Sequence, residues 1–347
     1  MNGLPFRVAL LYNEDGQVSR GDPQDLLAIQ YTVTAAQNLY EALTSLGYPI
    51  VKIAVRGNLE ELEDSLCSFP PRDTFIFNNC DGFNGDNMGA VEVVRLIERM
   101  GFKHTGATAD SIQLCIDKPR CKERLLQCGV PTPRFQVYER PEGECSLQFP
   151  VIVKPATEDA SMGIDIESVV GSPAALCQRV SYVIETYAEP AIVEEFVTGR
   201  ELHAAMWGNG AVEILPIAEE DFSLIPDPLQ RVLTYDSKWK QDSPYYQNIP
   251  SRIPAVLTKK EERVVRRAAA ASFHAMGLRD LGRVDFRFNN GIPYVIDINE
   301  LPDLSPDAGF WNSARAARLT YPQMAERILR HALLREGWIH DLRTPKH

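Results

Sequence analysis

The chain has 347 residues, with 36 Lys and Arg against 47 Asp and Glu, which gives a formal net charge of −11. This length predicts two or three subdomains, and the composition is that of a globular protein rather than a disordered or fibrous one. The acidic excess argues against a dedicated nucleic-acid-binding protein, which needs a basic surface. No apolar run approaches the ~20 residues that span a bilayer, and the opening MNGLPFRVALLY is typical of a first strand rather than of a signal peptide. Seven cysteines without a Cys-x-x-Cys pair favour free thiols in a reducing cytosol.

The first third of the chain alternates between strand and helix patterns. The predicted elements are strands at 6–12, 49–55 and 74–78, and helices at about 25–46, 59–67 and 88–100. Asn58 is a predicted N-cap for the second helix. This alternation predicts a parallel sheet covered on both faces, with ligands beyond the carboxyl ends of the strands. The loops 12–16 and 78–86 lie there, and their Asn, Asp and Gly residues fit either turn chemistry or a ligand-lining role.

Two lysines flank the next predicted helix and strand. Lys118 stands at the start of a helix that runs to about 128, and Lys154 lies in the strand 150–156. The small, polar segment 156–163 follows, and a strand resumes at 164–170. Such a loop can offer backbone N–H groups to phosphate oxygens, and a lysine supplies a compact positive charge. By itself, however, a lysine at a strand end is more often only solvated.

The segment 191–202 is predicted to be a strand that carries Glu194, Glu195 and, after a Thr-Gly turn, Glu201. Alternation puts Glu194 and Phe196 on one face. Most such glutamates are the solvated side of a half-buried strand.

The strongest pattern is the hairpin 282–299, in which each strand has one apolar and one mostly polar face. The apolar set is Val284, Phe286, Phe288, Tyr294, Ile296 and Ile298, and the polar set is Arg283, Asp285, Arg287, Asp297 and Asn299. A five-residue loop, 289–293, pairs Phe288 with Tyr294 and puts Asp285 opposite Asp297 and Arg283 opposite Asn299. An even-length loop would send the two aspartates to opposite faces. We favour the odd loop because it alone keeps all six apolar residues together.

Facing carboxylates at Asp285 and Asp297 would repel by roughly 4 kcal/mol at a separation of about 4 Å. Either one of them is protonated or a cation lies between them. With the Asn299 carbonyl they form a hard oxygen set, which suits Mg²⁺ held together with substrate phosphates. The alternative is an exposed sheet face with ordinary salt bridges to Arg283 and Arg287.

As an ordered set, these stretches resemble the ATP-grasp superfamily, and within it the D-alanine–D-alanine ligase family. The matching stretches are Asp117-Lys118, PVIVKPATEDASMGI, IVEEFVTGREL, TYDSKW, GRVDFRF and YVIDINELPDLS. The resemblance implies a mixed α/β and α+β fold, an ATP-grasp fold preceded by a Rossmann-like parallel-sheet domain. We expect an N-terminal substrate-side domain at 1–116, a small lid domain at 117–190, and a C-terminal domain with metal and substrate sites at 191–347.

The resemblance also implies roles for the matched positions. The expected ATP contacts are Lys118 and Lys154 at the phosphates, Ser161 and Met162 in the lid, Glu194, Glu195, Phe196 and Val197 at the adenine, and Glu201 at the ribose. The expected ligands of one or two Mg²⁺ ions, with Mn²⁺ as an alternative, are Asp285, Asp297 and Asn299. Arg283, Lys154 and Lys238 are the predicted catalytic residues. Lys238 lies in the segment 221–254, whose length is typical of an active-site flap, although it could equally be a surface lysine.

The substrate side departs from the family pattern. Asp297 stands where the family usually has glutamate, Ala160 lacks the hydroxyl that helps to lock the lid, and Trp239 replaces the tyrosine that contacts it. The glutamate for the substrate amine has no clear counterpart, and Asp25 is only a loose candidate. The serine for the second substrate falls near Ala308, with Ser305 as the nearest hydroxyl.

Asp303 is the departure with the clearest chemical consequence, because it replaces a glycine of the family motif. Beside the acceptor pocket it would repel the carboxylate of a second D-alanine and favour a cationic or neutral amine. Alternatively, it caps a helix or turn and faces away.

The sequence therefore predicts an ATP-dependent carboxylate–amine ligase that forms an amide through an acyl phosphate and releases ADP. Its substrates are expected to be small molecules that differ from those of D-alanine–D-alanine ligase. The alternatives are a genuine D-alanine–D-alanine ligase and a nucleotide-binding scaffold without catalysis. We expect a cytoplasmic protein without nucleic-acid or membrane partners, and the resemblance implies a homodimer.

Overall fold

The protein is described by a computed structural model that covers residues 6–16 and 19–342, with the backbone alone at 28–30. Residues 1–5 and 343–347, which belong to the predicted first and third domains, lie outside the described residues. The strands form three sheets, which follow one another along the chain. The domain boundaries themselves remain a prediction.

The first sheet is parallel and has the order β2-β1-β3-β4. Its elements are β1 (Arg7–Asn13), α1 (Leu26–Ser45), β2 (Ile50–Val55), α2 (Leu59–Cys67), β3 (Thr74–Asn79), α3 (Gly89–Arg99), β4 (Lys103–His104) and α4 (Ala109–Ile116). Alternate residues of β1 enter different apolar cores, Ala9 and Leu11 on one face and Val8 and Leu10 on the other. Asn58 caps α2 by accepting the amide of Glu61 at 2.9 Å. The predicted parallel sheet, covered on both faces, is confirmed.

The second sheet is antiparallel and has the order β5-β8-β6-β7. Its elements are α5 (Lys118–Gln127), β5 (Phe135–Tyr138), β6 (Val151–Pro155), β7 (Val169–Val170), α6 (Pro173–Tyr187) and β8 (Ala191–Glu195). The predicted strand at 164–170 is wrong over most of its length, because the turn from Asp165 to Ser168 precedes β7. The single strand predicted at 191–202 is also wrong. The chain leaves this sheet after Glu195 and enters the third sheet at Arg200.

The third sheet has the order β12-β11-β9-β13-β14, and β10 also pairs with β9. Its elements are β9 (Arg200–Asn209), β10 (Ala211–Ile214), β11 (Ala218–Glu220), α7 (Tyr235–Trp239), α8 (Pro244–Asn248), β12 (Ser251–Arg252), α9 (Lys259–Ala275), β13 (Asp280–Asn289), β14 (Ile292–Asn299), α10 (Gly309–Ala316) and α11 (Tyr321–Arg335). Strand β13 lies between β9 and β14, so the polar face of the hairpin adjoins that of β9.

The hairpin of β13 and β14 corrects the predicted loop but keeps the predicted pairing. Phe288 lies opposite Pro293 rather than Tyr294, which leaves a two-residue turn. That turn is Asn290-Gly291, with positive φ at both residues, as such tight turns require. A bulge at Ile296 restores the register, so that Asp285 faces Asp297 and Arg283 faces Asn299.

The bulge also changes which side chains of β14 enter the core. Val295 is buried with Phe286, whereas Tyr294 and Ile296 are only half-buried. The prediction that all six apolar residues share one face is therefore wrong. The reason is that the prediction depends on strict alternation, which the bulge interrupts.

Two further sequence-based expectations concern membranes and thiols. Within residues 6–16 and 19–342, the helices are all too short or too polar to cross a membrane. All seven cysteines are free. Cys80, Cys115 and Cys121 are buried, whereas Cys67, Cys128 and Cys177 are exposed.

Candidate active site

Two adjoining cavities contain the predicted site residues. The larger, of about 820 Å³, opens among the loops of the first sheet, the segment 231–253 and the loop after β14. The smaller, of about 80 Å³, lies between the second and third sheets. Asp159, Leu233 and Lys238 line both cavities and mark their junction. The predicted residues at the smaller cavity are Lys118, Lys154, Ser161, Glu194, Glu195, Phe196, Val197, Glu201, Asp285 and Asp297, whereas Met162, Arg283 and Asn299 line the larger.

The polar end of the β13–β14 hairpin lies at this junction. Arg283 donates to both carboxylate oxygens of Asp285, each at 2.8 Å, and the Asn299 amide donates to Asp285 at 3.3 Å. Burial alone would raise the pKa of Asp285, but Arg283 and His203 hold it well below its usual range. Burial would lower the pKa of Arg283, yet Asp285 and Asp297 raise it. Both groups therefore remain ionised where the two cavities meet.

The donor set of the hairpin fits Mg²⁺ bound together with phosphates. Asp285 and Asp297 are directly opposed, and Asn299 lies in the next pair but one along the ribbon. Among the described residues, no cluster of three or more His, Cys, Asp or Glu side chains forms a complete metal site. Mg²⁺ does not need one, because it is commonly held by one or two carboxylates with phosphate and water oxygens.

The three predicted lysines approach the smaller cavity from different elements. Lys118, at the start of α5, donates to the carbonyl of Glu158 and lies 3.5 Å from the carboxylate of Asp159. Burial would lower its pKa, but Asp159 and Asp297 raise it. Lys154, on β6, lies 3.3 Å from the Glu194 carboxylate.

Lys238, on α7, has no hydrogen bond or ion pair within the part of the chain that the structure describes. Burial, followed by the nearby Arg283, lowers its pKa. Its ammonium is therefore available to an anion at the junction of the cavities.

A further lysine, which the sequence analysis missed, lies behind this group. Lys122 is buried on α5, and its ammonium lies 3.1 Å from the Glu194 carboxylate and donates to Thr132 at 2.8 Å. Glu194 is thus held between Lys122 and Lys154, on the buried side of the cavity. The sequence could have indicated Lys122 through its spacing, because it follows Lys118 by one helical turn and lies on the same face of the helix.

The other predicted nucleotide contacts have partners within the protein. The Glu195 carboxylate lies 3.1 Å from a guanidinium nitrogen of Arg134, and its backbone continues along the cavity wall. The Arg287 guanidinium stacks over Phe196 at 5.5 Å and pairs with Glu201 at 2.9 Å. Arg287 thereby holds both side chains at the wall of the smaller cavity. The Glu201 carboxylate, which was expected to bind the ribose, is thus already paired with Arg287.

The lid segment holds its two predicted residues in different places. Ser161 donates to the carbonyl of Leu233 at 3.0 Å beside the smaller cavity. Met162 instead packs against Tyr187 and Tyr235 and lines the larger cavity. The indole N–H of Trp239 donates to the Ala160 carbonyl at 3.0 Å. A backbone acceptor thus ties the lid to α7 without the missing hydroxyl.

The substrate-side candidates divide into those that reach the larger cavity and those that do not. Asp25 lines neither cavity, since its carboxylate accepts the Tyr187 hydroxyl at 3.1 Å. Ser305 is buried, whereas Ala308 lines the larger cavity. Asp303 accepts the amide of Ser305 at 2.8 Å and its hydroxyl at 2.6 Å, and it also lines the larger cavity. It therefore caps a turn, as one alternative held, but it does not face away.

His203 and Glu220 also line the larger cavity, and the sequence analysis did not select them. The two His203 ring nitrogens lie 3.3 Å from Glu201 and 3.4 Å from Glu220, and Nε2 lies 4.0 Å from Asp285. Burial would lower the pKa of His203, but Asp285 and Glu201 raise it. The sequence could have indicated His203 through strand alternation, because Glu201 and His203 are two residues apart on β9 and therefore share one face.

Comparison with known proteins identifies the family. Residues 130–330, more than half of the chain, match the family model described as the D-Ala–D-Ala ligase C-terminus. The chain belongs to the D-alanine–D-alanine ligase family. Accordingly, it is an ATP-dependent ligase, and the predicted ATP-grasp relationship is confirmed.

Two relatives match most of the chain. It is 34% identical over 278 residues to an uncharacterized protein, y4sG, of Sinorhizobium fredii, which covers 79% of this chain and 80% of that protein. It is 29% identical over 333 residues to a D-alanine–D-alanine ligase of Thermotoga maritima, covering 96% of this chain and 99% of that enzyme.

Solved structures of the family share the fold. A D-alanine–D-alanine ligase from Bacillus anthracis, crystallised with ATP, superposes with a TM-score of 0.73 at 20% identity, covering 96% of this chain and 99% of that one. The VanG D-Ala:D-Ser ligase of Enterococcus faecalis gives a TM-score of 0.70 at 18% identity, covering 94% of this chain and 99% of that one. At these identities the likeness establishes the fold, and the substrates require a separate argument.

Proposed function

We propose that the chain joins a small carboxylic acid to a small amine, using ATP, through an acyl phosphate intermediate. The observation that carries this proposal is the junction of the two cavities, where Arg283, Asp285 and Lys238 meet. A nucleotide in the smaller cavity would have its phosphates at this junction, and an acid in the larger cavity would reach the same point. The two reactants of a phosphoryl transfer would thus be brought together.

The first step transfers a phosphoryl group to the acid. A carboxylate oxygen forms a bond to the γ-phosphorus, the bond from that phosphorus to the bridging oxygen breaks, and ADP leaves. Lys118 and Lys154 would hold the phosphate oxygens, and Arg283 and Lys238 would stabilise charge on the transferring group. Mg²⁺ at Asp285, Asp297 and Asn299 would neutralise negative charge on the phosphates.

The second step forms the amide. The neutral amine bonds to the acyl carbon, the bond from that carbon to the phosphate oxygen breaks, and inorganic phosphate leaves as the amine loses a proton. The lid, tied to α7 through Trp239 and Ala160, would exclude water that otherwise competes with the amine. The nucleotide-binding residues predicted from the sequence retain their proposed roles, except that Met162 would contact the substrates.

We propose substrates other than two D-alanines, because Asp303 lines the acceptor side of the larger cavity. A genuine D-alanine–D-alanine ligase is the second candidate, since relatives with that name cover almost the whole chain. A scaffold without catalysis is disfavoured by the retained Arg283, Asp285 and lysines.

ADP release tests the proposal directly. Purified protein, ATP and Mg²⁺ are mixed with pairs drawn from a panel of acids and amines, D-alanine included. ADP formation that requires both an acid and an amine supports ligation, and the amide is then identified by mass spectrometry. ADP with D-alanine alone would favour the second candidate. ATP binding without ADP from any pair would favour the scaffold.

We further propose a cytoplasmic homodimer. Seven free thiols fit a reducing compartment, and dimerisation is inferred from the family alone. Light scattering of the purified protein tests the second point.

A further inference from the structure

The larger cavity is strongly acidic. Eight carboxylates line it, against the four basic side chains His203, Lys238, Arg283 and Arg315; the carboxylates are Asp15, Asp81, Asp86, Asp159, Glu220, Glu300, Asp303 and Asp307. A cavity wall with one dominant sign of charge concentrates ligands of the opposite sign.

Three of these carboxylates line the larger cavity and do not line the smaller cavity that we propose for the nucleotide. Asp81 follows β3 of the first sheet, whereas Asp303 and Asp307 lie on the loop after β14. All three are exposed to the cavity. Burial, together with nearby Asp303, raises the pKa of Asp81 to about 7, although the Thr32 hydroxyl, which donates to Asp81 at 3.1 Å, opposes this shift. Asp81 and Asp303 therefore repel one another across the cavity that both of them line.

Among the described residues, this acidic group has no ion-pair partner, because the nearby Arg283 pairs with Asp285 instead. Across residues 6–16 and 19–342, no ion pair reaches Asp81, Asp303 or Asp307. The backbone N–H and the hydroxyl of Ser305 both donate to Oδ1 of Asp303. The other carboxylate oxygen, Oδ2, has no hydrogen bond among those residues. Glu300 is only 8% exposed and lines the same cavity, yet its carboxylate bonds to no other described residue. A buried carboxylate without a partner is either neutral or compensated by a cationic ligand.

We propose that the acceptor substrate is a diamine whose second, protonated amino group binds among Asp81, Asp303 and Asp307. The inference rests on the proposed ligase function and names its amine. The neutral amino group bonds to the acyl carbon, phosphate leaves, and that nitrogen loses a proton. The distal ammonium keeps its charge and offsets the repulsion between the carboxylates. An amino acid would instead place its own carboxylate beside them.

Binding of two amines of similar size tests this proposal without knowledge of the acid. Calorimetry is performed with 1,4-diaminobutane, 1-aminobutane and D-alanine, on protein saturated with a non-hydrolysable ATP analogue and Mg²⁺. The diamine is expected to bind about tenfold more tightly than the monoamine, the size of one charge-assisted hydrogen bond. Asp303→Asn and Asp81→Asn should each remove most of that preference. Asp110→Asn, which changes a side chain that is 92% exposed, should leave it intact.

Equal affinity for the two amines, or tighter binding of D-alanine than of the diamine, overturns the proposal. Unchanged affinity of the Asn variants for the ATP analogue shows that they are folded. If one variant no longer binds the ATP analogue, the proposal is still tested by whether the wild-type protein binds the diamine more tightly than the monoamine. If the protein shows no preference for the diamine but still releases ADP with some acid–amine pair, the proposed diamine substrate is refuted and the proposed ligase function is not. Absence of ADP from every pair refutes the ligase instead.

Discussion

Glu194 offers the sharpest test of how the nucleotide side is held together. Its carboxylate is 1% exposed and lies 3.1 Å from the Lys122 ammonium and 3.3 Å from that of Lys154. Glu194→Gln keeps the shape of the side chain and removes its charge. Two buried ammonium groups then lose their shared counter-ion.

The expected loss follows from burial. Removing one partner of a buried ion pair costs about 3–5 kcal/mol, because the remaining charge stays desolvated. Glu195→Gln is the matched control, since Glu195 is adjacent in sequence and pairs with Arg134. Those two side chains are 23% and 62% exposed, and such a pair contributes at most about 1 kcal/mol. The two variants should therefore differ by at least about 2 kcal/mol.

Urea unfolding, followed by tryptophan fluorescence at pH 7, measures both losses. The pH dependence adds a second check. Burial alone would raise the pKa of Glu194, but Lys122 and Lys154 lower it below its ordinary value of 4.5. The ionised form stabilises the fold above that pH, so the difference between wild type and Glu194→Gln should shrink as pH falls below 4.5. Equal free energies of unfolding for Glu194→Gln and Glu195→Gln would refute the reasoning.

Three further changes test the remaining parts of the site. Asp285→Asn should reduce ADP release by about 100-fold or more, because the variant loses the carboxylate that would hold Mg²⁺ and that orients Arg283; the exposed Asp110→Asn serves as control, and an unaffected rate for Asp285→Asn would contradict its proposed role. Trp239→Phe removes the hydrogen bond to Ala160, worth about 1 kcal/mol, so hydrogen exchange of the lid amides should be about fivefold faster; unchanged exchange would show that this bond does not hold the lid. Burial raises the pKa of Glu158 from 4.5 to about 7, so wild type should lose stability relative to Glu158→Gln as pH rises through that interval, by up to about 1.4 kcal/mol per pH unit. Parallel stability curves in urea would exclude this linkage.

Local chemistry explains which elements could be predicted. Asn58 caps its helix through a side chain that reaches only three residues along the chain. The strands of the first sheet are short apolar runs whose character does not depend on distant partners. The β13–β14 pairing was predicted in part, since Asp285 and Asp297 do face each other, but the Asn-Gly turn and its compensating bulge were not. A prediction based on strict alternation of apolar and polar residues does not include the extra residue of a bulge.

The sequence by itself determined the fold class, the local elements and the family, because these depend on patterns within short stretches and on their order along the chain. Only the tertiary structure decided which charges meet. Lys122 reaches Glu194 across 72 positions of sequence, and Asp81 and Asp303, 222 positions apart, line one cavity. Such meetings depend on how the three sheets pack, and packing is set by the whole apolar core rather than by the charged residues themselves. The carboxylates that would select the substrate therefore became visible only once the chain was folded.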